Sequence, residues 1–360
     1  MIVANMAAPN RFKAFVEARH FSYYLKPLIS EGCGVEDVRL PIKRSPARFL
    51  DQLRLLMREK QLAYSTEKTY LYWIRKFIRF HKRRHPGDMG ATEVDQFLSW
   101  LAASQMVAPA TQSIALNALV FMYRHKLDND LGSLNYRRAR PKRRIPQVLT
   151  HAEAMALIRR MHQPVRVAVQ LLYGSGLRQA ECLSLRLKDV DFGMNEIIVR
   201  QGKGDKDRRT LLPETIRDEL EMQVARVKQL HEVDSAQGFG EVYIAPALAR
   251  KYPNACRETG WQFLFPARNI AADPITGVLR RHHFHPSCIR KAIKKHAKCI
   301  GLHKNVTAHT FRHSFATRLL ESGYDLRTIQ ELLGHADINT TEIYTHVLNK
   351  GGRGVRGPLG

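Results

Sequence analysis

Acidic residues are scarce in this chain: its 360 residues hold 33 Asp and Glu against 58 Lys and Arg, a formal charge of +25 at pH 7. That imbalance argues against a basic or neutral binding partner as the main one. An excess of this size concentrates polyanions, and it predicts salt-dependent binding, since each neutralised phosphate releases counterions. The basic residues are spread along the chain and form no single terminal amphipathic tract, which argues against a membrane-surface protein. Cysteine is also sparse. Cys33, Cys182, Cys256, Cys288 and Cys299 include no CxxC pair, and their odd number argues against a complete disulfide framework, so a reducing compartment is expected. No apolar run approaches the roughly 20 residues of a membrane-spanning helix. The opening MIVANMAAPNRFK lacks the basic start and apolar centre of a signal peptide. A cytoplasmic protein is expected. With 44% hydrophobic and 25% charged residues, the chain has the composition of a globular protein and the length for two cores.

Residues 1–45 stand apart as an N-terminal extension. Phe15, Phe21, Tyr23, Tyr24 and Leu25 suit a short amphipathic helix, but Gly32, Gly34 and Pro41 interrupt it, and a loosely held segment is expected. Met6 is a possible alternative start. From 46 to 136 the periodicity is helical. Ser65 can cap a helix carrying Tyr70, Ile74, Phe77 and Ile78 or Phe80, with Lys68, Arg75, Lys76, Arg79, Lys82, Arg83 and Arg84 on its remaining surface and Pro86-Gly87 at its end. Thr92 and Asp95 resemble a capping box before Val94, Phe97, Leu98 and Leu101. A third helix follows Pro109 with Ile114, Leu116, Leu119, Val120 and Tyr123 inward. Together with Phe49–Met57 these make a four-helix domain, and its basic surface is expected to face DNA.

Residues 137–148 form a basic interdomain linker. Its Arg137, Arg138, Arg140, Lys142, Arg143 and Arg144 repel one another and Pro146 resists a helix, so an extended strap across a phosphate backbone is expected. Thr150-His-Ala-Glu153 matches a capping box and opens a second domain, 149–349. Helices are expected around 151–162 and 165–173 and again after Gly176, then two strands, 195–200 and 209–212, joined by the turn Gly202-Lys-Gly-Asp-Lys-Asp207. A polar helix follows Pro213, a less regular segment spans about 245–285, and the chain is helical from 286 to 349 before a Gly-rich tail, 350–360. The expected class is therefore mainly α with a small β-sheet.

Chemistry concentrates near the end of that second domain. His309 and Arg312 are three apart, so on a helix they share a face. Gly323 can end that helix, Asp325 can cap the next and Gly334 can end it, leaving His335 on the turn beyond. Asn339 and Glu342 resemble another capping pair, which puts Tyr344 on a short helix with Ile343 and Val347 as packing residues. An earlier arginine stands in Gly174-Ser-Gly-Leu-Arg178. Arginines grip phosphate oxygens as fixed forks, histidines move protons, and a tyrosine can form a covalent ester. Each residue singly has a plain structural alternative: an ion pair of Arg178 with Glu181, two satisfied core histidines, a half-buried tyrosine. Jointly they supply every residue type that phosphoryl transfer through a tyrosine needs.

Arg178, the Gly-Lys-Gly turn, His309-x-x-Arg312, Leu-Gly-His335 and Tyr344 resemble the catalytic set of the tyrosine recombinases, over residues 46–349. The resemblance implies a SAM-like four-helix core-binding domain followed by an α+β catalytic domain. Ala249-Arg-Lys-Tyr-Pro253, Trp261-Gln-Phe-Leu-Phe-Pro266 and Arg280-Arg-His-His283 resemble the additional segment of integron integrases. It implies that Tyr344 attacks the scissile phosphate, leaving a 3′-phosphotyrosyl link and a 5′-hydroxyl, while Arg178 and Arg312 hold the non-bridging oxygens. His309 would take the tyrosine proton, Lys203 (less readily Lys206) would protonate the leaving oxygen, His335 would bond the phosphate and Glu181 would orient Arg178. It further implies folded single-stranded hairpin sites as well as a duplex site, with Trp261 stacking one extrahelical base and Pro274, His282 and His283 holding another; Trp261 as plain core beside Phe263 and Phe265 is the alternative. A homotetramer on DNA, at the bacterial nucleoid, is the implied working form. Ester exchange conserves the bond, so neither ATP nor a metal is expected, and His282, His283, His285, Cys288, His296 and Cys299 match no standard zinc spacing. Two other readings stay open: a non-catalytic DNA-binding or architectural protein, and a type IB topoisomerase.

Overall fold

A computed structural model of the chain describes residue 42 and residues 46–139, 147–200, 207–273, 276–335, 337, 340–342 and 344. The chain divides into two compact units between residues 144 and 145.

The first unit is built on four helices: α1 (Phe49–Glu59), α2 (Tyr64–Phe80), α3 (Ala91–Ala103) and α4 (Pro109–Lys126). Their apolar faces meet in a core of Leu53, Ile74, Phe77, Phe97, Leu101 and Met122, all fully buried. Arg58 of α1 reaches the buried Glu67 of α2 with two nitrogens, 3.1 and 3.2 Å from its oxygens. Several helix limits differ from the expected ones. The cap of α2 is Ala63, and Ser65 lies inside the first turn, where its carbonyl accepts from Thr69 Oγ1. This helix stops at Phe80, before Lys82 (φ 52°) and Arg83 (φ 64°), because two left-handed residues turn the chain well ahead of Pro86. At α3 the cap is Gly90, whose N–H donates to Glu93 at 2.8 Å; Asp95 instead accepts from Asn135 N. Ile114 and Val120 prove exposed, at 41% and 37%, since α4 turns Gln112, Ala115, Ala118, Leu119 and Met122 inward. The small alanines let α4 approach its neighbours closely, a role that hydrophobic weight alone undervalues.

Gln112 donates to the carbonyls of Leu98 and Arg137 and accepts from Ala139 N, while Arg137 N donates to Ser99 Oγ. The first turns of the expected linker are thus pinned to the helical unit by their backbone. Arg137 and Arg138 themselves are exposed. Arg140, Lys142, Arg143 and Arg144 lie outside the described residues.

The second unit opens with α5 (His151–Arg159), whose Thr150–Glu153 capping box forms as expected, at 2.8 and 3.2 Å. Next come α6 (Val165–Gly174), the short α7 (Gln179–Ser184) and an antiparallel sheet of β1 (Val190–Asp191), β2 (Glu196–Val199) and β3 (Arg208–Leu211) in the order β1-β2-β3. Ile197 pairs with Thr210 and Val199 with Arg208. The turn between β2 and β3, residues 201–206, falls outside the described residues, so Lys203 and Lys206 have no place here. Then follow α8 (Arg217–Ala236), α9 (Pro246–Lys251), a two-residue ribbon of β4 (Ala271–Ala272) and β5 (Leu279–Arg280), α10 (Ser287–Cys299), α11 (Ala308–Glu321) and α12 (Leu326–Leu333). One core runs through α5, α6, α7, the sheet, α8, α10 and α11, with Leu157, Leu172, Ile197, Leu220, Ile293 and Phe311 buried. Asp325 caps α12 through Thr328 N, and Gly334 closes it at φ 62°, both as expected. A smaller cluster of Phe315, Ala316, Ile329, Leu333 and Tyr344 joins α11 and α12 to the last described residue.

Candidate active site

The site forms where α7, β3, α11 and the end of α12 converge. Arg178 and Glu181 share one turn, and the carboxylate of Glu181 accepts from Arg178 N and Arg178 Nη1, each at 2.7 Å. Arg312 comes from α11 and is 2% exposed. Its Nη2 donates to Leu333 O at 2.6 Å and its Nη1 to Gly176 O, while Arg178 Nη2 donates to Gly334 O at 3.1 Å. The two arginines, 134 positions apart in sequence, thus grip adjacent carbonyls of one helix end and flank one carboxylate. Glycine is required at 176: with φ +62°, a Cβ would lie 2.4 Å from Phe315 Cδ1, and any side chain would push the carbonyl off Arg312.

The charges are set by burial and by one another. Burial would raise Glu181, yet Arg208 and then Arg178 pull its pKa down to about 2. Burial, then Arg178, lower Arg312 to about 9, so it stays cationic at neutral pH. His335 lies on the turn after α12, with Nδ1 2.9 Å from Thr341 Oγ1; burial, then Arg312 and Arg178, hold its pKa at about 4.

Tyr344 is 1% exposed, and its ring stacks on His335 at 6.4 Å between centroids and 13° between planes. Its hydroxyl meets His313 Nδ1 at 2.9 Å. His309, the residue expected at the phenol, lies one helical turn away on the exposed side, its ring edge-on to that of His313 at 5.5 Å. Both histidines follow the same face of α11, but only His313 points under the phenol. Burial, then His309, keep His313 at about pKa 4, hence neutral near pH 7. Burial raises the Tyr344 pKa, against the pull of Arg312 and Arg178.

Sequence reasoning missed His313 and Arg208. The first carried a signal, since it stands four residues after His309 and directly after Arg312. For Arg208 there was none, as nothing in a Arg-Arg-Thr-Leu strand says which arginine turns inward.

The expected base-holding residues gather around Phe263, a buried residue on an isolated bridge with Arg186. His282 and His283 each lie 5.2 Å from the Phe263 ring and 4.2 Å from each other, between centroids. Trp261 is half-buried; Lys188 Nζ lies over its face and Arg186 Cζ stands 5.6 Å from its centroid and 4.6 Å from that of Phe263. Phe263 and Phe265 are core, Trp261 only its rim. Pro274 lies outside the described residues. Among the described residues no group of three His, Cys, Asp or Glu is placed to hold a metal, and no helix is long and apolar enough to cross a membrane.

Residues 147–350 match the phage integrase family, and residues 49–133 match the N-terminal SAM-like domain of phage integrases. The chain belongs to the phage integrase family. It is a tyrosine-type site-specific recombinase acting on DNA. An integrase/recombinase of Escherichia coli is 46% identical over 89% of this chain and 95% of its own length, and the XerD tyrosine recombinase of Lacticaseibacillus casei is 32% identical over 84% and 92%. The recombinase shares its fold with the Tn1549 transposon integrase in complex with transposon right end DNA (TM-score 0.57, 18% identity, 82% and 94% covered). It likewise resembles the XerH recombinase bound to its difH substrate (0.55, 20%, 82% and 80%).

Proposed function

We propose that this recombinase inserts and excises integron gene cassettes, cutting folded single-stranded hairpin sites and a duplex site through a 3′-phosphotyrosyl intermediate on Tyr344. One observation carries the assignment of the nucleophile: a phenol hydrogen-bonded to a neutral imidazole, near the buried guanidinium of Arg312 and the half-buried one of Arg178. Oη of Tyr344 attacks phosphorus and its proton passes to His313. Arg178 and Arg312 exchange part of their carbonyl bonds for the non-bridging oxygens, whose charge grows in the transition state. His335 and His309 bond the same phosphate, and Lys203 gives its proton to the departing 5′-oxygen. The bond energy is kept in the ester, so the family's reaction runs without metal or ATP.

The hairpin preference rests on the half-buried Trp261 and on His282 and His283, whose rings pack at an angle against the buried Phe263, beside Arg186 and Lys188. Stacking a flipped base there is worth about 1–3 kcal/mol. Lys188 now covers Trp261 and would yield to the base, passing to a phosphate. The exposed Arg137 and Arg138, with Arg140, Lys142, Arg143 and Arg144, would follow the backbone. A homotetramer at the nucleoid is the working form in this reading.

The test is a nicked suicide substrate offered as hairpin and as duplex. Wild type should give a covalent adduct without added metal, and Tyr344→Phe should give none while binding DNA normally; an adduct in that variant would remove Tyr344 as nucleophile. Trp261→Ala should weaken hairpin binding about 5- to 100-fold more than duplex binding. Equal losses would leave a recombinase without the hairpin preference.

A further inference from the structure

Arg208 stands outside the roles above, yet it joins the carboxylate of Glu181 to the end of α12. Its guanidinium, 10% exposed, holds both oxygens of Glu181, Nη1 to Oε1 at 2.9 Å and Nη2 to Oε2 at 2.7 Å. Its Nε donates to Leu332 O at 3.0 Å. Each of its three nitrogens therefore has a protein partner.

The end of α12 then shows a regular assignment. The carbonyls of Leu332, Leu333 and Gly334 each accept from one guanidinium, of Arg208, Arg312 and Arg178 in turn. Three cations face one carboxylate and the negative end of a helix dipole, so the set carries a surplus charge suited to a phosphate. Glu181 is the common hub: Arg208 grips both oxygens of its carboxylate from β3 with one guanidinium, opposite the backbone N–H and Nη1 that Arg178 supplies from its own turn. Arg208 also touches the turn itself: a Cβ at Gly334 would lie 2.7 Å from Arg208 Cδ, and that turn leads directly to His335.

Arg208 begins β3, on the strand leaving the turn that carries Lys203. Two residues on, Thr210 Oγ1 donates to Ser175 O at 2.8 Å, beside the Gly176 carbonyl that Arg312 grips. The strand is thus tied to both walls of the anion pocket.

We propose that Arg208 is a positioning residue: it sets the two phosphate-holding arginines through Glu181 and the end of α12. This rests on the reading that Arg178 and Arg312 hold the scissile phosphate. A lysine cannot replace it, because one ammonium cannot span a carboxylate edge and a carbonyl in different directions.

The experiment uses the full chain on the nicked suicide duplex, with the adduct rate at saturating DNA and the DNA Kd measured separately. Arg208→Met should lower the saturating rate about 10- to 100-fold, as loss of a supporting hydrogen-bond partner does elsewhere, with the Kd within about 3-fold of wild type. Arg208→Lys should recover little of it, and added guanidinium ion should restore part of the rate in Arg208→Ala by refilling the vacated site. That rescue separates positioning from simple loss of folding. An unchanged saturating rate with only a lower melting temperature would overturn the proposal, and so would a loss confined to Kd, which marks a direct phosphate contact. A wild-type chain that forms no Tyr344-dependent adduct would instead sink the catalytic reading on which the proposal stands.

Discussion

A phenol attacks phosphorus only as its proton leaves, and the group beside it decides the pH at which that can happen. His313 sits at that position, with a pKa of about 4 that leaves it neutral from pH 5 upward. A base of this kind gives no inflection near the ordinary imidazole value of about 6.5. The single-turnover adduct rate should therefore fall only as the pH approaches 4. His313→Gln should lower it about 10²- to 10⁴-fold, the usual worth of a general base, and His309→Gln should lower it less. An inflection that His309→Gln abolishes and His313→Gln leaves in place would return the base role to His309. At this scale the sequence showed which residue types gather, through their order and helical spacing. It did not show which of two histidines on one helix face reaches the phenol. That depends on how α11 is rotated against Tyr344, which is a matter of tertiary packing in the cluster of Phe315, Ala316, Ile329 and Leu333 that holds the ring.

Helix ends carry the site, and glycine geometry carries the helix ends. Gly176 and Gly334 both have φ +62°, and both supply carbonyls to the arginines. Gly176→Ala should cost about 2–4 kcal/mol, from the left-handed conformation together with the overlap on Phe315. Chemical denaturation of the full chain, followed by the transition of the second unit, measures it. Gly323→Ala is the control, with positive φ but nothing within 4 Å, and should cost only about 1 kcal/mol. Equal costs at the two positions would mean that the carbonyl turn is not tightly packed. Elements announced by local rules were legible: the Thr150–Glu153 box, the Asp325 cap and the Gly334 stop all form. Elements decided by distant partners were not. Asp95 reads as half of a capping box with Thr92, but the folded unit spends it on Asn135, and Glu93 serves the cap. The inward face of α4 was missed at Ile114 and Val120 because close packing there favours alanine over bulk.

Across the whole molecule, charge sets the conditions in which the recombinase stays folded. A chain at +25 with 16 further histidines becomes still more positive as the pH falls, and self-repulsion grows with it. The buried imidazoles add a specific cost. His313 and His335 have folded pKa values of about 4 against about 6.5 unfolded, so between those values the unfolded chain binds protons that the folded one refuses. Stability is full above pH 6.5 and declines as the pH falls towards 4. Glu181, at about 2 folded against 4.5, adds a second loss from pH 4.5 down to 2, when the carboxylate hub neutralises and three guanidiniums face one another unopposed. Calorimetry at pH 7.5, 6.0 and 5.0 should show the transition of the second unit moving to lower temperature. In His313→Gln/His335→Gln that movement should become shallower, because two of the imidazoles depressed by burial no longer titrate while His282, His283 and His309 still do. Duplex DNA should oppose it in both proteins, since a ligand that binds only the folded state raises stability by mass action. If the double variant lost stability with pH as steeply as wild type, general repulsion would account for the decline, and the two histidines would have to be as solvated in the folded chain as in the unfolded one.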